Sequence, residues 1–386
     1  MTHQPGHDLS GHHTPNRVFE QPATPSLPVT GAWREGDDPG QRQFVDIGDL
    51  PLESGETLPN VRIAYQTWGE LNADKSNAVL INHALTGWSD VPAWWPSMVG
   101  PGMPFDTDRY FVVCPNVIGG CQGSTGPSSL APDGRPWGSR FPRITVRDQV
   151  AAEVAFADAL GIDHFVLSVG PSLGGMRALE WAVMHPDRVG AICVIGSGSA
   201  ATGDQIGTAS IQVRAIKTDP HFCGGDYYDD SVGPVEGLGI ARRIAHLTYR
   251  TDYEMDVRFG HTLQPDGTGR WSVESYLDHQ AAKLARRFDA NTYLVLVDVM
   301  NTHDIGRGRG GVEAALQSIR VPVQPVAIDT DRLFPPTLQQ QIADVAPMSE
   351  QLITLHSPYG HDGFLIEVEG VGSAVRHGLK LGDHRR

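Results

Sequence analysis

The stretch Val169-Gly170-Pro171-Ser172-Leu173-Gly174-Gly175 sets a serine between glycines, directly after HFVLSV (164–169), a run suited to a buried strand. Downstream, Met176, Leu179 and Val183 recur at helical spacing, His185-Pro186-Asp187 closes that helix, and AICVIGS (191–197) opens another strand. Ser172 therefore falls on a strand-to-helix turn inside a β-α-β unit, which is the setting a G-x-S-x-G nucleophile elbow requires. Residues two before and two after the serine come close in such a turn, and Gly170 and Gly174 bring no Cβ to collide. The turn forces the serine backbone into a strained region and lifts Oγ clear of the sheet. The next amide, that of Leu173, opens the helix and can donate to a developing oxyanion. A glycine-rich turn with an incidental serine is the plainer alternative.

Working outward, the same alternation repeats. NVRIAYQT (60–67) alternates apolar and polar residues, as a half-buried strand does. AVLINHA (78–84), YFVVCPN (110–116), VPVQPVAID (321–329) and QLITLHS (351–357) are apolar runs suited to buried parallel strands. DQVAAEVAFADALG (148–161) reads as a helix closed by Gly161. Strands alternating with helices predict an α/β fold with a mostly parallel sheet. Between about 200 and 300 the pattern becomes helical: IQVRAIKTD, GLGIARRIAHLTYR and SYLDHQAAKLARRF are amphipathic, and the state of TYLVLVDV (292–299) is ambiguous. The expected organisation is a disordered tail over 1–43, a core domain from 44–200 and 300–386, and a helical lid insertion over 201–299.

Composition narrows the function. Among 386 residues, 45 acidic side chains against 30 basic ones give a net charge of −15, which disfavours nucleic acid and anionic membranes as partners. Four cysteines (Cys114, Cys121, Cys193, Cys223) show no metal-type spacing, so no metal site is expected. His3, His7, His12 and His13 lie in the polar first segment without a cysteine or carboxylate framework, which favours a floppy tail over a metal site. With no signal-peptide pattern and no long apolar run, the expectation is a cytoplasmic protein with reduced thiols.

A nucleophilic serine needs a base and an acid to orient it, and in this arrangement they follow in the order Ser, acid, His. Past the strand VPVQPVAID comes TDRLFPP with Asp331, and Asp329 stands as its rival. Past QLITLHS comes PYGHDGF with His361. Both loops follow strand C-terminal ends, where an open parallel sheet carries its active-site residues. His279, His303 and His356 are less well placed. A second oxyanion amide is expected from the loop Asn82–Gly87, with Leu85 beside Leu173, although an ordinary βα loop would read the same.

Taken together, NHALTG (82–87), GGCQGSTGPSS (119–129), the elbow followed by GMRALEWA (175–182), ARRIAHLTYR (241–250), HDIGRGRGG (303–311), TDRLFPP (330–336) and YGHDGFL (359–365) resemble homoserine O-acetyltransferases, from about residue 44 to 380. That resemblance implies an α/β-hydrolase fold and a catalytic set of Ser172, Asp331 and His361. It also implies substrate contacts from Arg242 and Asp362, and a homodimer. The expected reaction is acetyl transfer from acetyl-CoA, as co-substrate with no permanently bound cofactor, to L-homoserine by way of acyl-Ser172. A guanidinium and a carboxylate suit the two charges of that amino acid, although Arg242 taken alone reads as a surface ion-pair residue. The chain departs from the family's Gly-Gly-Ser-Met-Gly-Gly at Pro171 and Leu173, and Leu for Met keeps the volume and the amide. Arg307 and Arg309 are candidate contacts for the phosphates of CoA, with a mobile glycine-rich loop as the alternative. A succinyl donor, a serine acceptor, an esterase or thioesterase, and a non-catalytic binding protein are the competing functions.

Overall fold

The structure, a computed structural model, describes residues 26–385. The expectations for residues 1–25, including the histidine-rich stretch, lie outside the described residues. An eight-stranded sheet forms the centre, from strands β1 (Gln43–Pro51), β2 (Thr57–Trp68), β3 (Ala78–Ile81), β4 (Phe111–Pro115), β5 (Phe165–Pro171), β6 (Val189–Ile195), β7 (Val323–Ile328) and β8 (Ile353–Leu355). Their spatial order is β1-β2-β4-β3-β5-β6-β7-β8. β1 pairs antiparallel with β2, and β2 antiparallel with β4. Every later neighbour is parallel. This is the mostly parallel α/β sheet that the sequence pattern predicts, in the α/β-hydrolase arrangement that the resemblance implies.

The apolar runs alternate between the two faces of the sheet, as strand geometry requires. Leu80, Val113, Ile192 and Val194 pack with Phe156, Leu179 and Trp181 from helices α1 (Val146–Ala159) and α2 (Leu173–Met184). Val79, Ile81, Val112 and Cys193 face the opposite layer. There they meet Val371, Val375 and Leu379 of the C-terminal helix Val368–Asp383. Gly378 and Gly382, one turn apart, let that helix press on the sheet: a Cβ on Gly382 would collide with the Val166 carbonyl, and one on Gly378 would lie 3.1 Å from Leu167.

Between β6 and β7 stand helices α3 (Gly203–Lys217), α4 (Val235–Tyr249), α5 (Asp252–Phe259), α6 (Ser272–Ala285) and α7 (Ala290–Asn301). The ambiguous segment 292–299 is thus helical. Asp289 caps α7 by accepting from the Thr292 amide, and the same buried carboxylate takes the hydroxyls of Tyr227, Tyr228 and Thr30.

That last bond corrects an expectation. Residues 26–42, expected to be disordered, are part of the folded structure. The Gly31 amide donates to the Phe288 carbonyl at 3.1 Å and the Trp33 amide to the Cys121 carbonyl at 2.9 Å. The segment holds few apolar residues, so composition reads it as loose. Its order comes from polar groups that meet partners far away in sequence, together with Val29 and Ala32 packed on the core.

Gly382→Ala should overpack the junction with β5 and lower stability by about 1–3 kcal/mol, measured by urea unfolding. An unchanged midpoint would show that the helix has room to move away.

Candidate active site

Parallel strands bring their C-terminal ends, and the loops that follow, to one edge of the sheet. Ser172 follows β5, Leu85 lies past β3, Asp331 follows β7 and His361 follows β8. The backbone of Ser172 has φ 55° and ψ −123°, a region that a residue with a Cβ adopts only under strain. Its neighbours hold it there. A Cβ on Gly170 would lie 2.5 Å from the Gly174 carbonyl carbon and 2.6 Å from the Asn82 oxygen, and one on Gly174 would strike that same oxygen. The Ser172 amide donates to the Ile195 carbonyl at 2.9 Å, and Ser197 Oγ donates to the Ser172 carbonyl at 2.7 Å.

His361 is buried, its Nδ1 2.6 Å from Asp331 Oδ2. The other oxygen of that carboxylate accepts from the amides of Leu333 and Phe334 at 2.9 and 2.8 Å, so the turn TDRLF is built around it. Phe334 stacks on the imidazole and Phe364 meets it edge-on, each at 5.2 Å. Packing and the Asp331 bond together fix the ring and leave Nε2 as the group free to act on a proton. The rival acid is spoken for: Asp329 accepts from the Ser357 amide and lies 2.9 Å from the exposed His356. His303 is buried, and His279 is exposed.

Ser172, His361, Leu85, Arg242 and Asp362 all line one cavity of about 400 Å³. Leu173 is the buried first residue of α2, immediately after the serine. Arg242 is half-buried over the ring of Tyr249, and its Nε and Nη1 are buried without a partner among the described residues. It is its neighbour Arg243 that takes the surface role, paired with Asp278. Asp362 accepts from Arg250 at 3.1 Å and keeps further lone pairs for a ligand. Arg307 and Arg309 are not brought to the cavity. Arg307 pairs with Glu53 at 2.8 Å and Arg309 with Glu180 at 2.7 Å, which removes them as candidates for a phosphate at this site.

Arg177, in the GMRALEWA run, carries no sequence signal of its role. Its guanidinium is fully buried behind the elbow. It donates to Glu153 at 2.6 Å and to the carbonyl of His83, two residues before Leu85. Trp181 donates to the second oxygen of Glu153 at 2.7 Å. His83 in turn accepts the Val117 amide at Nε2 and bonds the Ala84 carbonyl through Nδ1. The helix bearing the elbow is thereby tied to the loop that faces it. Burial first, and the charge of Arg177 second, depress the His83 pKa to about 3, so the imidazole is neutral, as an acceptor must be. His246, in the cavity wall, is likewise depressed to about 3, by burial and then by Arg242.

An α/β-hydrolase-fold family model matches residues 77–368. The homoserine O-acetyltransferase of Thermobifida fusca is 54% identical over 369 residues, spanning 92% of this chain and 97% of that protein. Among solved structures, esterase E22 superposes with a TM-score of 0.81 at 26% identity, covering 88% of this chain and 99% of that one. A homoserine O-acetyltransferase from Staphylococcus aureus gives 0.71 at 28% identity, covering 87% and 94%.

Two outcomes are expected. Arg177→Met should cost about 3–5 kcal/mol, because it strands a buried carboxylate; the double variant with Glu153→Met should cost less than the single one in urea titrations. Neutral His83 and His246 bind no proton in the fold, whereas the unfolded chain binds one at each below about pH 6.5. The stability they permit is complete above that pH and is lost as pH falls toward about 3. His246→Gln should flatten the loss, by about one proton, between pH 6 and 4; an unaltered slope would place the proton uptake elsewhere.

Proposed function

The chain belongs to the homoserine O-acetyltransferase family, and from that premise we propose that it moves an acetyl group from acetyl-CoA to the hydroxyl of L-homoserine through acyl-Ser172. The observation that carries the reading is the strained serine in one cavity with His361, whose Nδ1 lies 2.6 Å from Asp331 Oδ2.

His361 Nε2 takes the proton of Ser172 Oγ as the oxygen attacks the thioester carbon. Asp331 holds the tautomer and offsets the charge gained by the imidazole. The amides of Leu85 and Leu173 receive the oxyanion. When the tetrahedral intermediate collapses, the C–S bond breaks and His361 returns the proton to the leaving thiolate. The acceptor then enters with its carboxylate on Arg242 and its ammonium on Asp362. His361 takes the proton of its hydroxyl, that oxygen attacks the acyl carbon, and the proton passes to Ser172 Oγ as it leaves. The unpartnered Nε and Nη1 of Arg242 support the carboxylate contact, because a buried cationic donor without an acceptor is costly. Transfer outpaces hydrolysis only where water is restricted. Side chains of α4 and α6, among them Tyr249, Tyr276 and Leu284, wall the cavity and support that requirement.

The test offers acetyl-CoA and succinyl-CoA with homoserine and with serine, and identifies each product. O-acetylhomoserine should dominate, and thiol release from acetyl-CoA should rise at least about tenfold when homoserine is present. Fast turnover without an acceptor would make the protein a hydrolase, in keeping with its likeness to esterase E22. An O-succinyl product alone would replace the donor while leaving the chemistry in place.

A further inference from the structure

Five cationic side chains line the cavity that holds Ser172, namely Arg242, Arg250, Arg258, Lys283 and Arg287, against one carboxylate, Asp362. This happens in a chain whose net charge is −15, so the excess is local. Arg250 is balanced by Asp362 at 3.1 Å and Glu254 at 2.7 Å, and Arg258 lies 3.6 Å from Glu254. Arg242, Lys283 and Arg287 have no carboxylate partner among the described residues. The acceptor does not cancel this surplus, because homoserine brings one ammonium for each carboxylate. An anionic ligand must.

We propose that Lys283 and Arg287, with Arg258 at the rim, bind the phosphate groups of the acyl donor at the mouth of the cavity. This rests on the reading that acetyl-CoA is the donor. Gln280, Lys283 and Arg287 are spaced by three and four residues, which sets them on one side of α6 and its C-terminal extension, facing the cavity. Lys283 and Arg258 are exposed, whereas Arg287 and Arg242 are half-buried, so the charges run from the solvent inward. A nucleotide whose phosphates stay near water, with a thioester on a long neutral arm reaching Ser172, matches that order.

Arg287 is also held in place. Nη1 donates to the Thr86 carbonyl at 2.8 Å, and the guanidinium lies 4.7 Å over the ring of Trp88, leaving its other donors for a ligand. Burial and then the charge of Arg242 lower its pKa to about 10, as expected where cations gather without an anion between them.

The experiment compares acetyl-CoA with S-acetyl-N-acetylcysteamine, an acetyl thioester that has no phosphate. In Lys283→Glu, the ratio of kcat/KM for acetyl-CoA to that for the truncated donor should fall about tenfold or more, mostly through KM. Arg258→Glu should move the ratio the same way and serves as the second variant if the first does not fold. Adenosine 3′,5′-bisphosphate should compete with acetyl-CoA in the wild type, more weakly as salt rises. A ratio within about twofold of wild type in both variants, or a raised KM for homoserine in place of the donor, would overturn the assignment. Wild-type enzyme that takes no acetyl group from acetyl-CoA would instead refute the donor, and the phosphate site with it.

Discussion

The close approach of Gly170 and Gly174, with the Asn82 carbonyl pressed against both, is the constraint on which the catalytic end of the molecule depends. Only with the chain packed that tightly does Ser172 take φ 55° and stand between a strand end and a helix start. The same compression sets the 82–87 loop on the elbow, because the oxygen that excludes a Cβ belongs to that loop. One steric fact therefore places both the hydroxyl and the loop bearing the second candidate oxyanion donor. Strain of this kind costs about 1–3 kcal/mol, and the hydrogen bonds from Ser172 to Ile195 and from Ser197 to Ser172 help to hold it.

A second, electrostatic tie runs behind the first. The buried Arg177 spans α2, the Glu153 carboxylate of α1 and the His83 carbonyl, so the elbow helix and the facing loop share one cation. An ion pair taken out of water adds little net stability, but removing one partner is severe. Its use here is positional. On the far side of the cavity the charges are arranged in the opposite sense. Arg242, Lys283 and Arg287 line it with no carboxylate partner among the described residues.

Much of this was legible in the residues. The strand-turn-helix reading around Ser172 needs only local periodicity and two glycines; the α/β class follows from strands alternating with helices along the chain, and the hydrolase fold from the resemblance. Position past the strand end favours Asp331 with Asp329 as its rival, and the resemblance then selects Asp331, because two acids two residues apart give little local signal. The structure separates them by what each accepts: three donors that include His361 for Asp331, and Ser357 and His356 for Asp329. Arg307 and Arg309 attracted a phosphate role because a glycine-rich basic run has that look. Their partners, Glu53 and Glu180, lie far away in sequence and cannot be read from it. Arg177 was passed over for the same reason. The segment 26–42 was misjudged because composition measures apolar content, whereas this segment is tied down by Thr30 to Asp289 and by backbone bonds to Phe288 and Cys121.

The central claim is that one hydroxyl carries the acyl group between two substrates. Rapid mixing with acetyl-CoA in the absence of any acceptor, acid quenching and peptide mass spectrometry test it directly. The account predicts an acetyl group on the peptide containing Ser172, formed as fast as CoA is released and removed when homoserine is added. CoA release that waits for homoserine, with no acetylated peptide at any time, would contradict it.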